Sequence, residues 1–444
     1  MNNKPIFHIT GESGWINDPN GLVKFKGQYH IFFQHHPYSN EWGPMHWGHV
    51  VSDDLIHFKY LPIALTPGDE FDKDGCFSGT ALVQGDTLYL AYTGYIFNDD
   101  PEKIRQIQCL ASSKDGIHFK KHGVIIDETL LPKKYKANDF RDPKLFYQDG
   151  TYYILVMARK AIGNGSILLF KSKDLKKWEF VNDVLTHDSE GRMLECVDYQ
   201  KDLGLLLYCE QDYPPEKDRC LNLSSCEYEV GEFDKNFKFI SKEGKKLVDY
   251  GFDFYAPQII EDGHYLIAWM DMWARNNPST KYGFAGMLTV PRKVTVENGI
   301  MLQKPVIFGD LVESKEIQNT YSGHLSVGTL HLEIDSLKSL SIILRKGDDE
   351  VTKFYLLDDY FYFDRGLSGE QIDGLEKDPL SAAGIRKMPY RKQQKDDIYI
   401  VLDKYSIEIF VNGISMSNTV FPKESSDIFE INVESNATHV TLYK

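Results

Sequence analysis

Long apolar runs are missing from this 444-residue chain. Without a stretch of about 18 consecutive apolar residues, a membrane-spanning helix is excluded. Cysteine is scarce: there are six, at positions 76, 109, 196, 209, 220 and 226, and none stands in Cys-x-x-Cys spacing. That sparsity excludes a disulfide scaffold and predicts free thiols in a reducing compartment. Positive charge is in deficit, with a formal net charge of −15. The balance excludes the basic footprint of a nucleic-acid binder and argues against docking on an anionic membrane. A neutral small-molecule substrate fits it better. The first residues, MNNKPIFHITGESGW, carry no basic region followed by an apolar stretch, so a cytoplasmic location is the expectation.

What is present is a core-forming composition, 42% apolar and 13% aromatic, enough to fold without staples. It is also periodic. A polar turn followed by an aromatic, alternating strand starts at Gly27, Gly85, Gly150, Gly204 and Gly263, a repeat of about sixty residues. A second pattern follows each of the first four: SDDLIHF (52–58), SKDGIHF (113–119), SKDLKKW (172–178) and a weaker FDKNFKF (233–239). Period-2 alternation between Gly and Asp turns predicts β-strands. One repeat suits a four-stranded antiparallel sheet, and five such sheets around an axis make a β-propeller. Two sandwiches with accidental similarity would not keep two patterns in one phase.

After Gln303 the repeat stops while the alternation continues, as in LSIILRK (340–346), DIYIVLD (397–403) and YSIEIFVNG (405–413). The expected architecture is all-β: a five-bladed β-propeller over 1–303, then a C-terminal β-sandwich over 304–444. No Gly/Ser linker separates them, so firm packing between the two is expected. Exposed sandwich edges could pair subunits into a homo-oligomer.

The chemistry lies just before each repeat's glycine. Asp18 in WINDPNG, Ser78 in FSG, Asp142 in FRDP, Glu195 in LEC and Tyr255 in DFYAPQ stand seven to nine residues before that glycine, at one strand position in each repeat. Rotation about a propeller axis would bring them to one pocket. Singly, each has a plain reading. Asp18-Pro19-Asn20-Gly21 is an ideal turn, Arg141-Asp142-Pro143 a structural ion pair, and Glu195-Cys196 has almost no specificity. The shared phase overrides these readings, because unrelated turns have no reason to align across repeats. Three converging acids raise the cost of ionisation. One ionised carboxylate beside one protonated is the equipment of glycoside hydrolysis. Trp15, Trp42, Trp47, Phe77, Phe140, Phe254, Tyr255 and Trp269 fall in the same segments and are expected to wall the pocket. His35, His36, His46 and His49 crowd the first repeat, but their spacing matches no zinc pattern; neither metal nor cofactor is expected. A Cys196 nucleophile lacks a His–Asn partnership. The EKIR (102–105) and PPEKDR (214–219) runs read as solvated loop tips.

The blocks WINDPNG, WGH (47–49), FSG, FRDP, EC and DFYAPQ, in that order, resemble the signature blocks of glycoside hydrolase family 32, the β-fructofuranosidases. The resemblance spans nearly the whole chain. It implies a retaining mechanism releasing terminal β-D-fructofuranosyl units from sucrose or short fructo-oligosaccharides. By position it makes Asp18 the nucleophile, Glu195 the general acid and then base, and Asp142 the binder of sugar hydroxyls. Glu195 is expected against an apolar wall. Asn17, Gln34, Trp42, Phe77, Ser78, Arg141, Tyr255, Trp269 and, more weakly, Asp253 would shape the fructosyl subsite. Val197 stands where the family often has Pro, which leaves the catalytic groups intact. Within the family, sucrose 6-phosphate is the alternative substrate, with Lys103, Arg105, Arg159 and Arg219 as candidate phosphate ligands. A non-catalytic fructan-binding protein and an arabinose- or xylose-acting relative are the readings outside it.

Overall fold

The structure, a computed structural model, describes residues 3–185, 192–216, 219–276, 278–374 and 378–444. It is nearly all-β, a five-bladed propeller followed by a sandwich. Each blade is a meander of four main strands. Their innermost strands are Gly14–Phe25, Gly75–Gln84, Tyr135–Gln148, Leu194–Gln200 and Tyr255–Ile260. These five neighbour one another in a closed ring around the axis.

Period-2 alternation gives every blade two apolar faces, and each gap between blades holds its own core. Leu205 and Leu207 pack toward the fifth blade with Ile259, Leu266 and Val294. Leu206 and Tyr208, on the opposite face, pack toward the third with Leu155 and Met157. Three further clusters fill the other gaps. The ring is latched by a late segment. Phe284–Ala285 runs parallel to Gly14–Trp15, and Leu288 N donates to Ile9 O at 2.8 Å.

The second sequence pattern is a capped turn. In its first copy Asp54 Oδ1 accepts from the backbone of Ile56 and His57, both at 2.8 Å. The residue after each Asp, or in the fourth copy three after Asp234, takes a left-handed conformation: Leu55, Gly116, Leu175 and Phe237. Short polar side chains that hold their own backbone explain why Ser and Asp recur there.

The sandwich has two six-stranded sheets around one continuous apolar core. Buried ion pairs tie it to the propeller. Arg292 of the fifth blade bonds Asp249, Glu408, Ser415 and Ser417. His8 Nδ1 and Nε2 lie 2.8 Å from Asp403 Oδ2 and Glu408 Oε1.

One expectation fails in the fourth blade. Cys209 and Cys226 are register partners on adjacent strands and form a disulfide; Cys76, Cys109, Cys196 and Cys220 are free and buried. Direct cross-strand pairing, rather than sequence spacing, brings the two sulfurs together.

Candidate active site

All five innermost strands break register at one height. The breaks span Ile16/Pro19, Phe77/Gly79, Leu155/Met157 opposite Asp142, Glu195/Asp198 and Tyr255/Gln258. A β-bulge adds an unpaired residue and re-aims its side chain. Here the bulges hold Asn17 and Asp18, Ser78, Asp142, Cys196 and Ala256. Asp142, Cys196 and Ala256 adopt positive φ of 62°, 53° and 52°, a left-handed conformation that costs a non-glycine residue about 1–3 kcal/mol.

The bulges open on a cavity of about 440 Å³. Asp18, Asp142 and Glu195 line it together, from the first, third and fourth blades. Asp18 is buried and accepts three bonds: Ser78 Oγ at 2.6 Å, Asn17 Nδ2 at 3.1 Å and Cys196 Sγ at 3.3 Å. Burial pushes its pKa up and the Glu195 charge adds to this; the Ser78 bond pulls the other way. Asp142 accepts from the Cys196 backbone N–H at 3.0 Å. Burial raises its pKa to about 7, with Arg141 opposing and Glu195 and Asp18 reinforcing the rise.

Glu195 faces polar groups, not the expected apolar wall. Arg141 donates to its Oε1 from Nε and Nη2 at 3.1 and 2.8 Å, and the Tyr255 hydroxyl donates to Oε2 at 2.5 Å. Arg141 is itself held by Asp139 at 2.9 Å and Gln106 at 3.1 Å. Asp139 also takes Arg159.

Asn17, Gln34, Trp42, Phe77, Ser78 and Arg141 line the cavity as well. Phe77 stacks on Tyr95 at 4.3 Å and meets Trp42 edge-on at 5.7 Å, forming an aromatic wall. The rest of the expected wall is elsewhere. Trp47, Phe140 and Phe254 are buried in the packing between blades. Trp269 is fully buried behind Trp15 and Trp273, and it is Trp273 that reaches the cavity. Asp253 does not line it: both oxygens are taken by Arg275 and Arg365 at the sandwich interface.

The four candidate phosphate ligands stand off the cavity, each neutralised nearby. Lys103 pairs with Asp100, Arg105 with Glu128, Arg159 with Asp139, and Arg219 with Glu216 and Glu227. Lys217 and Asp218 of the PPEKDR run lie outside the described residues. Residues that carried no repeat-phase signal also line the cavity: Tyr95, Gln106, Asp139, Arg192, Gln211 and Asp212. His35, His36 and His46 each place Nδ1 on a backbone carbonyl oxygen. Among the described residues no group of three or more His, Cys, Asp or Glu is arranged to hold a metal. Burial and the neighbouring carboxylates raise the Cys196 thiol far above its usual range, so it is no thiolate nucleophile.

The N-terminal domain of glycosyl hydrolases family 32 matches residues 8–305, and the C-terminal domain of that family matches residues 303–444. The chain belongs to glycoside hydrolase family 32. Among its relatives is a sucrose-6-phosphate hydrolase of Zymomonas mobilis, 35% identical over 95% of this chain and 88% of that protein. A raffinose invertase of Escherichia coli is equally similar, 35% identical over 95% of this chain and 90% of its own length. The sucrose-6-phosphate hydrolase structure from Lactobacillus gasseri superposes with a TM-score of 0.89 at 26% identity, covering 99% of this chain and 93% of that one. The family makes the protein a glycosidase with a fructosyl-releasing type of activity.

Proposed function

We propose that the protein releases terminal non-reducing β-D-fructofuranosyl units from sucrose and short fructo-oligosaccharides by double displacement. The observation that carries this reading is the single cavity shared by Asp18, Asp142 and Glu195. The ionised Asp18 carboxylate attacks C2 of the fructosyl ring. The bond from C2 to the leaving oxygen breaks, and Glu195 gives that oxygen its proton. An Asp18–fructosyl ester and a free sugar result. Water then adds to C2, Glu195 takes its proton, and the ester bond breaks to restore the carboxylate. Arg141 and Tyr255 hold Glu195 in place through both halves. Asp142, with a pKa of about 7, can donate or accept toward a sugar hydroxyl at neutral pH.

The test is Asp18→Asn and Glu195→Gln. Each should lower kcat on sucrose by about 10³-fold or more while circular dichroism stays unchanged. Turnover within tenfold of wild type in either variant removes the reading.

The second reading is hydrolysis of sucrose 6-phosphate. It is favoured by the activity named for the Zymomonas mobilis relative. The equally similar raffinose invertase acts, by its name, on an unphosphorylated sugar, so overall identity does not choose between the two.

A further inference from the structure

The general acid must face the leaving oxygen, so the leaving sugar lies on the Glu195 side of the cavity. The fourth blade supplies part of the wall there. Arg192 stands three residues before Glu195, while Gln211 and Asp212 follow Glu210, the register partner of Leu194. Two backbone bonds fix them together: Arg192 N to Gln211 O at 2.8 Å and Gln211 N to Met193 O at 2.9 Å. The side chains are joined as well. Arg192 Nε donates to Asp212 Oδ2 at 3.0 Å and Nη2 donates to Gln211 Oε1 at 2.7 Å.

The charges lining this cavity are lopsided. Among its described lining residues the acids are Asp18, Asp139, Asp142, Glu195 and Asp212, and the cations are Arg141 and Arg192. Arg141 is committed to Glu195 and Asp139. Among the described residues Arg192 is therefore the cation on this wall, and Asp212 pairs with it. Lysines and arginines suited to a phosphate would be several and uncommitted.

We infer that the Arg192–Asp212 pair makes the site selective for an uncharged leaving sugar over a phosphorylated one. The pair presents a donor and an acceptor side by side, which suits hydroxyls, since each hydroxyl does both. A phosphate dianion must instead take Arg192 while standing beside the Asp212 carboxylate, with the ionised Asp18 deeper in the cavity. This rests on the fructosyl-hydrolase reading above, and it assigns Asp212 the excluding charge.

The experiment measures fructose release by the full-length protein from sucrose and from sucrose 6-phosphate, for wild type, Asp212→Asn and Arg192→Gln. Wild type should have the higher kcat/KM for sucrose, by about tenfold or more. Asp212→Asn should move the ratio about tenfold toward sucrose 6-phosphate, and Arg192→Gln should move it the other way. The Asp212→Asn shift should shrink at about 1 M salt, where charges are screened within about 3 Å; a packing defect would not respond to salt. Equal or better use of sucrose 6-phosphate by wild type overturns the inference, as does an Asp212→Asn ratio that stays put. Absence of fructose from both substrates with wild type would instead overturn the parent reading.

Discussion

Asp18 lies where water screens it poorly, and its carboxylate is held by donors from three strands. Ser78 is the one with a direct kinetic consequence. Its hydroxyl bonds the charged form and so opposes the upward pull of burial. Ser78→Ala should move the acid limb of the kcat/KM–pH profile to higher pH, because Asp18 then gains its proton sooner as pH falls. A limb that stays in place, or moves to lower pH, contradicts this. Asp18, Ser78, Asp142, Glu195 and Tyr255 were legible in the sequence because the repeat supplies a phase, and residues in one phase share one height on the axis. Arg192, Asp212, Tyr95 and Trp273 were not. They come from later strands and connections, where no phase exists to single them out. Asp253 misled for a related reason: it precedes the strand Tyr255–Ile260 and turns toward the sandwich, so nearness in sequence to Tyr255 is not nearness to the cavity.

At the scale of the strand, the decisive device is the bulge. Alternation predicts which residues face the neighbouring blades, but a bulge is an exception to alternation and leaves no compositional trace. The sequence therefore singled out residues that the fold brings together without revealing how they are aimed. Gly79 shows how tightly one bulge is built. A Cβ there would lie 2.0 Å from Ala91 O and 2.7 Å from the Tyr92 Cα. Gly79→Ala must push the first strand of the second blade off its neighbour and carry Ser78 with it. Both the melting temperature and kcat/KM on sucrose should fall, and the melting temperature should fall further than in Ser78→Ala, which loses only the buried bond to Asp18. Equal melting temperatures for Gly79→Ala and wild type would show that the strand absorbs the methyl group. The aromatic wall illustrates the same gap. Trp47 and Phe140 sit on the motif strands, yet their alternation phase turns them into the packing between blades.

For the whole molecule, the division into a repeating part and a non-repeating part was legible, because the repeat simply ends. The ties between the two parts were not, since Arg292, Asp249, His8 and Asp403 belong to no shared pattern. His8 makes one tie measurable. Burial works against its charge, but the bonds to Asp403 and Glu408 outweigh it and raise its pKa from 6.5 to about 9. The folded protein thus binds a proton that the unfolded chain releases between those values. The stabilisation is complete below about pH 6.5 and fades as pH rises through 9, by an amount on the order of 3 kcal/mol. Chemical denaturation across pH 6 to 10 should show that decline, and His8→Gln should be less stable at pH 6 and flatter above it. A variant with the wild-type slope would assign the decline to other groups.

The latch at Phe284–Leu288 bears on how the protein is made. All three acids are encoded by residue 195, but the strand carrying Asp18 meets its closing partner only at residues 284 and 285. A ribosome that has delivered the first three-fifths of the chain has therefore delivered all three of these acids and no finished ring. Until the fifth blade emerges, the edge at Gly14–Trp15 stays open, and the hydrolase gains its working geometry late in synthesis.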